Sequence, residues 1–512
     1  VGELFDLAII GGGINGTALA QLAADNGYSV ALLEKADFGA GVTSRSTRLI
    51  HGGLRYLEHG QIKVVRESLR ERDALLDEFP YQVRPLPFLV PVYRSDSRKP
   101  WWIGLGLEAY SWIARSRLLP RHQHLSPRQA FELEPGLKRV NLNAAFLYFD
   151  CQAVYPERLA LEMALMAEES GAEVQNHAEV TALLIESKPK LRVAGVAVNG
   201  REYRARLVIN AAGPWVDHVL QLMPRGAGRP LLSLIGGAHI VTGSFPGAPS
   251  HAIYHEALAD RRPFFIIPWR GLWLIGTTET PVSGDPAGVA PSRTEIVYLL
   301  RETNFLIPEA KLTLDCVLYA YAGPRPLLRS DSRPAQSITR DHAIYDHEAK
   351  DGVAGMLTLA GGKLTTARAF AAEALARIAQ KLGRPRPVRR SPAKQNWQGI
   401  PSRLAEIYGR RAADIVALAE KNPELDRPAC PPKPTTAAEI VHAVTKEKAR
   451  TLGDILLRRT GLGFEPDLQE HDVAHVAEIA APLLGWDKAG IAAALAAYRD
   501  EADRTLHRRP ER

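Results

Sequence analysis

The 512-residue chain is 46% hydrophobic and 24% charged, an ordinary globular composition that excludes a disordered or fibrous protein and requires two or three domains rather than one core. Its net charge of +7 suits a phosphorylated substrate or an anionic lipid surface. Spread over so long a chain, that excess does not call for nucleic acid, which is not expected as a partner. Cys151, Cys316 and Cys430 are scattered and odd in number, so neither a disulfide framework nor a metal site is expected, and a reducing cytoplasm fits best.

The first residues lack the basic-then-apolar pattern of a leader, and no apolar run is long enough to span a bilayer, so any membrane contact is expected to be peripheral. Leu4 to Ile10 reads as a buried parallel strand stopped by glycines. An Ala/Leu-rich helix over 17–26, closed by Gly27, and a second strand over 29–33 complete a βαβ unit. Between strand and helix, Gly11, Gly13 and Gly16 form GxGxxG around Ile14 and Asn15. The first glycine allows the tight turn, the second the approach of a pyrophosphate, the third close helix–strand packing, while the helix N-terminus attracts the phosphates. Glu34 ends the second strand, where a carboxylate accepts hydrogen bonds from an adenosine ribose, and Lys35 beside it is counted with the cofactor site.

Helical patterns cover 60–79 and 156–170. The middle of the chain alternates turns with short strands at 193–198, 207–209, 239–241, 264–267 and 273–275, which predicts a second, antiparallel domain. A further buried strand, 357–360, leads into Gly361, Gly362, Lys363, Leu364 and Thr365 and then a helix. The Pro- and Arg-rich 383–391 reads as a linker, and Ala/Leu helices after Thr435 make a small C-terminal helical domain. The expected class is therefore α/β plus α+β: a Rossmann-like domain, an antiparallel-sheet cap domain and a C-terminal helical domain. The expected boundaries are 1–80, 151–225 and 336–383 for the first, 81–150 and 226–335 for the second, 384–400 for the linker and 401–512 for the last.

Small residues Ala211 and Gly213 close a later strand, and a helix N-terminus after Gly362 can stabilise negative charge on a reduced flavin. Several separated cofactor-facing segments suit a long, buried FAD better than an exchanging NAD. The hydroxyls of Thr43, Ser44 and Ser46, in a Gly-rich loop, are expected to bond FAD oxygens.

The stretch 41–58 reads Gly-Val-Thr-Ser-Arg-Ser-Thr-Arg-Leu-Ile-His-Gly-Gly-Leu-Arg-Tyr-Leu-Glu. With Ala-Ala-Gly-Pro-Trp-Val at 211–216, Ile-Gly-Thr-Thr-Glu at 275–279, Tyr-Ala-Gly-Pro-Arg-Pro-Leu at 321–327, Ile-Thr-Arg-Asp-His at 338–342, Gly-Gly-Lys-Leu-Thr-Thr at 361–366 and Leu-Leu-Arg-Arg-Thr at 456–460, it closely resembles the FAD-dependent glycerol-3-phosphate dehydrogenases, within the D-amino-acid-oxidase-like flavoproteins. Pro324, Glu279, Thr43 and Arg48 are mild departures that leave the charged positions intact. The resemblance implies oxidation of sn-glycerol 3-phosphate to dihydroxyacetone phosphate by hydride transfer from C2 to flavin N5. It also implies peripheral attachment at the cytoplasmic face of the inner membrane, with quinone as acceptor. The oligomeric state stays open between monomer and homodimer.

A phosphate monoester needs clustered cations, and the resemblance nominates Arg55, Arg325, Arg340 and Lys363, with Tyr56 as hydroxyl partner. Gly52 and Gly53 let the backbone turn before Arg55, and His51 is placed beside the isoalloxazine. His239 is the candidate base for the C2 hydroxyl proton, acting with Arg325 and Lys363; His51 is its rival, and an arginine or a water chain is the plain alternative. Around 101–119, Trp101, Trp102, Leu105, Tyr110 and Trp112 are flanked by Lys99, Arg115 and Arg117, which suits either a membrane-interface helix or ordinary core packing; the linker arginines and Arg458-Arg459 are further lipid-contact candidates. Competing readings are a glycerol-3-phosphate oxidase using O2, an amine or amino-acid oxidase, and a non-enzymatic flavin scaffold.

Overall fold

The computed structural model describes residues 3–58, 60–223, 230–329, 342–388 and 399–508. Arg340 and positions 389–398 of the linker fall outside them. The chain forms two compact units, one of Val1–Ser44, Tyr155–Ser233 and Pro326–Ala502, the other of Arg45–Val154, Leu234–Arg325 and Asp503–Arg512.

The first unit is built on Leu4–Ile10, whose apolar, β-branched end is buried on both faces. It pairs in parallel with Arg201–Asn210 on one side and Val30–Leu33 on the other, with Leu7 level with Leu207 and Val30. Glu173–Gln175 and Met356–Ala360 extend the parallel core outward. Ala343–Asp346 closes one edge antiparallel, and Val180–Glu186 with Arg192–Val198 forms an antiparallel flap on Arg201–Asn210. Three helices, Ile14–Asp25, Pro156–Glu169 and Ala367–Leu382, pack together, because an Ala-rich first helix lets its neighbours approach closely.

The second unit carries a ten-stranded sheet in the order Thr280–Val282, Leu232–Thr242, Leu272–Gly276, Pro263–Trp269, Ala252–Glu256, Val83–Tyr93, Leu142–Ala153, Leu49–Ile50, with Val317–Leu328 beside Leu232–Thr242 and Gln123–Leu125 beside Leu142–Ala153. Antiparallel pairs such as Leu232–Thr242 with Leu272–Gly276 and Val83–Tyr93 with Leu142–Ala153 dominate it, and Ala252–Glu256 runs parallel to Val83–Tyr93. Leu89, Ile240, Ile253, Ile266, Ile275 and Leu299 form its core. The helix Arg293–Leu306 is fixed by a capping box of Ser292 and Glu295, and Glu295 also accepts the hydroxyls of Thr278 and Thr280, which locks the helix to the sheet edge.

One boundary and one surface assignment differ from the sequence expectation. The first unit ends at Ser44, not 80, because the helix Ile62–Glu78 packs in the second unit, where its Arg72 bonds Asp150 at 2.8 Å. The expected C-terminal helices are present, and up to Ala502 they cluster with the first unit. Arg458 and Arg459 are not lipid contacts. Both are buried, and they pair with Asp37, Asp454 and Glu501, since a guanidinium out of water needs carboxylates around it. The thiols of Cys151, Cys316 and Cys430 are free. Among the described residues, no helix is long and apolar enough to cross a membrane.

Candidate active site

The glycine turn of the first unit forms a cradle for an anion. Gly11 has φ +109°, and a Cβ there would stand 2.6 Å from the carbonyl oxygen of Ala211, so the turn and the Ala211 strand end can meet only at glycine. The helix that follows begins at Ile14, has Gly13 as its N-cap with no side-chain cap, and has no acidic residue in its first turn. The Ile14 N–H donates to Thr43 Oγ1 at 3.1 Å, which brings the 41–44 loop onto the helix end.

Glu34 accepts the N–H of Gly12 at 2.6 Å and that of Ala36 at 2.8 Å. Burial pushes its carboxyl upward, against those two donors. Asn15 donates through Nδ2 to the Gly361 carbonyl at 3.1 Å, while its buried Oδ1 has no hydrogen-bond partner among the described residues. Gly11, Gly13, Ile14, Asn15, Gly16, Glu34, Thr43, Ala211 and Gly362 thus surround one strand–helix junction, while Gly213 opens the short helical turn Gly213–Trp215 that follows Ala211. An orphaned amide oxygen, a glycine-only approach and a helix end whose N-cap glycine has no side chain together fit a dinucleotide, with Glu34 placed for ribose hydroxyls and the helix end for phosphates.

Other expected cofactor residues have different surroundings. Ser44 donates its hydroxyl to Gly41 O at 3.1 Å, within its own loop. Lys35 sits over the Trp215 ring at 4.1 Å. Lys363, Leu364 and Thr365 lie in a turn after the strand, and the helix starts only at Ala367, so its N-terminus comes later than directly after Gly362. Ser46 belongs to the second unit and accepts the Arg48 N–H at 3.2 Å. Among the described residues, Asp37, His177 and Asp454 are close enough to share a cation, but Arg458 and Arg459 already fill that role.

The loop bracing the cradle is held from the far end of the sequence. Arg459 grips Asp37 with Nη1 at 2.6 Å and Nη2 at 2.9 Å, and Arg458 Nε reaches the same carboxylate at 2.7 Å. Arg158 makes a second bidentate pair with Glu447, both contacts at 2.7 Å, and both residues are buried.

The second unit gathers a cationic and imidazole cluster on its sheet. Arg325 donates through Nη2 to Thr277 Oγ1 at 2.5 Å and through Nη1 to Glu279 at 3.3 Å. A Cβ on Gly237 would stand 2.2 Å from that Nη2, so the glycine makes the space the guanidinium occupies. His239, on the same strand as Gly237, is buried, stacks on Tyr321 with ring centroids 5.1 Å apart and holds Thr47 Oγ1 at 2.9 Å from Nε2. Burial, then the charges of Arg325 and Arg48, depress its pKa to about 3, so the ring is neutral. Tyr321 donates to the Ser46 carbonyl at 2.9 Å.

The signature segment lies in the same unit. Gly52 donates its N–H to Tyr110 Oη at 2.8 Å, Gly53 has φ +75°, and Arg55 and Tyr56 open the short helix Arg55–Glu58 after His51. The structure therefore joins His239 to Arg325 and adds Thr47, Thr277 and Tyr321, which sequence reasoning did not select. Each of the three sits inside or beside a block quoted for the resemblance, but nothing in one sequence says that Thr47 and His239, 192 positions apart, would meet.

Residues 6–376 match the family described as FAD dependent oxidoreductase, and residues 356–491 the C-terminal domain of alpha-glycerophosphate oxidase. The chain is 41% identical over 501 residues to a glycerol-3-phosphate dehydrogenase of Synechocystis, covering 90% of this chain and 89% of that one. It is 34% identical to the glycerol-3-phosphate dehydrogenase of Mycobacterium leprae, covering 99% and 90%. Among solved structures, it is similar to the Bacillus halodurans glycerol-3-phosphate dehydrogenase complexed with FAD, with a TM-score of 0.79 at 25% identity over 98% of this chain and 95% of the other.

Proposed function

Because the chain belongs to the FAD-dependent glycerol-3-phosphate dehydrogenase family, we propose that it oxidises sn-glycerol 3-phosphate to dihydroxyacetone phosphate with a membrane quinone as the final acceptor. FAD is its cofactor, and when bound it supplies the two-electron acceptor for the hydride leaving C2. The observation that carries the substrate assignment is Arg325, a guanidinium held in place by Thr277 and Glu279 beside a neutral imidazole.

Each residue has one task in this reading. Arg325, with Arg55, Arg340, Lys363 and Tyr56, binds the phosphate dianion. His239 Nε2 accepts the C2 hydroxyl proton. Its pKa of about 3 makes it a weak base in the free protein, with burial the main cause and the Arg325 and Arg48 charges next. A dianion beside those arginines offsets their charge and raises the basicity of the ring as substrate binds. Glu34 and the cradle glycines hold the adenosine diphosphate part of the cofactor.

A quinone acceptor implies action at a bilayer, as a peripheral protein on the cytoplasmic face of the inner membrane. The match of the C-terminal region to an oxidase domain favours O2 as the second acceptor reading. Anaerobic mixing of the yellow holoprotein with glycerol 3-phosphate should bleach the flavin band, and a quinone should restore it faster than air. Restoration by air alone supports the oxidase; a band that substrate leaves unchanged overturns the substrate assignment, and amines become the next compounds to test.

A further inference from the structure

The helix Pro100–Ala114 is strongly apolar, Pro-Trp-Trp-Ile-Gly-Leu-Gly-Leu-Glu-Ala-Tyr-Ser-Trp-Ile-Ala, yet only Leu107 and Tyr110 of its residues are buried. Trp101, Trp102, Leu105 and Trp112 are 69%, 44%, 58% and 59% exposed. Trp101, Leu105 and Trp112 follow one stripe at helical spacing, where a core-packed helix would hide them. The opposite reading, that these aromatics belong to the core, is excluded within this unit. Even the side of the helix that faces the sheet meets a cavity of about 270 Å³, walled by Leu54, Leu57, Ile62, Ile103 and Ile113.

Cations surround the stripe. Arg94 and Lys99 are exposed before the helix, and Arg115, Arg117 and Arg121 after it, with Arg115 over the Trp112 ring at 5.0 Å. The one exposed acid in this segment is Glu108, 3.5 Å from Arg121, while Asp96 is buried and bound to the Tyr93 N–H at 2.7 Å. Tryptophan rings with arginine and lysine at both ends match the interface of an anionic bilayer, where indoles sit at the headgroup level and cations meet lipid phosphates. A helix of 15 residues spans only about 22 Å at 1.5 Å per residue, so it lies in the plane of the membrane and does not cross it.

Resting on the membrane reading above and naming its surface, we infer that Pro100–Ala114 is the lipid-docking helix of this protein, its tryptophans seated in the headgroup region of an anionic bilayer. The test uses the FAD-loaded full chain and vesicles of phosphatidylcholine with and without phosphatidylglycerol. The wild type should sediment with anionic vesicles and bind zwitterionic ones at least tenfold more weakly, and vesicles with brominated acyl chains should quench its tryptophan emission. The double variant W101E/W112E should lose anionic-vesicle binding at least tenfold and lose the quenching, with FAD content and dye-coupled oxidation of glycerol 3-phosphate unchanged. Equal vesicle binding by the variant overturns the helix assignment and leaves the membrane reading standing. A wild type that ignores anionic vesicles overturns both, without touching the oxidation chemistry. A variant that binds vesicles normally but goes from dimer to monomer by light scattering assigns the face to a second copy of the chain instead.

Discussion

The phenolic oxygen of Tyr110 accepts the Gly52 N–H at 2.8 Å and donates its own proton to Asp150 at 2.8 Å. Asp150 in turn holds Arg72 at 2.8 Å, and all three side chains are buried. One hydroxyl of the tryptophan-bearing helix thus ties down the segment that carries His51, Gly52 and Gly53, with Asp150 Oδ1 reaching the same Gly52 N–H at 3.5 Å. Tyr110→Phe keeps the ring but leaves the Gly52 N–H with only its longer Asp150 contact and takes the hydroxyl donor from Asp150 Oδ2. It should cost about 1–3 kcal/mol, read as a lower midpoint in denaturant. An unchanged midpoint would mean that the segment is held by other contacts.

Arg459 and Asp37 form a fully buried fork, and Asp37 lies three positions after Glu34. Arg459→Leu removes one cation from a carboxylate that cannot reach water, a change worth roughly 3–5 kcal/mol for a buried pair broken on one side. The expected result is a protein that loses FAD on gel filtration and unfolds earlier. Retention of stoichiometric FAD would show that Arg458 alone suffices.

Gly237→Ala would press a methyl group into the Arg325 guanidinium, since the Cβ position is 2.2 Å from Nη2. The hydrogen bonds of a charged group are worth about 1.5–3 kcal/mol, which corresponds to roughly a 10- to 150-fold loss. Gly237→Ala and Arg325→Ala should both raise KM for glycerol 3-phosphate within that range while the FAD content stays full. Loss of FAD alongside would instead indicate a folding defect.

His239 is neutral down to about pH 3 because burial, Arg325 and Arg48 all oppose its charge. In the free protein it therefore contributes no ionisation to kcat/KM between pH 5 and 8. The acid limb of that profile should follow the second ionisation of the substrate phosphate, near pH ~6. His239→Gln should lower kcat by about 10²–10⁴-fold, the usual range for a lost general base, and leave the position of the limb in place. A limb that moves on substitution would assign it to the histidine.

His255 has its pKa lowered to about 4, first by burial, with Tyr93 and Phe264 against its ring. A folded-state value below the unfolded ~6.5 gives stability that is complete above pH 6.5 and is lost as pH falls toward 4. The slope is about 1.4 kcal/mol per pH unit for one such group. His255→Phe should therefore shrink the stability difference between pH 7 and pH 5 by up to ~2 kcal/mol, measured from denaturant midpoints. An identical difference in the variant would place the acid sensitivity elsewhere, with His239 the next residue to examine.

How much of this was legible follows from sequence separation. The βαβ opening, its glycines and Glu34 are local, and strand, turn and helix each carry their own signal, so the dinucleotide cradle could be read directly. Strand 239–241 was found from its apolar core, although it runs over Leu232–Thr242, because edge residues such as Ser233 and Thr242 break the pattern. The end of the first unit at Ser44 was missed, since an amphipathic helix such as Ile62–Glu78 shows which face it buries but not in which unit. Arg458 and Arg459 look like lipid-contact candidates in the sequence for the same reason: their partner Asp37 is 421 and 422 positions away. Helical spacing in Pro100–Ala114 was likewise compatible with either a core or an interface, and only its exposure separated the two.

The long reach of that Asp37 contact also orders events on the ribosome. Synthesis at about 5–20 residues per second delivers Arg459 roughly 20–80 s after Asp37 has emerged, given their separation of 422 residues. Throughout that interval the cofactor loop carries a carboxylate with no arginine to bury against, and for about its first three quarters the central sheet also lacks Met356–Ala360. The first unit therefore completes only once Arg459 has emerged, and its first forty-odd residues wait until then for their buried partner.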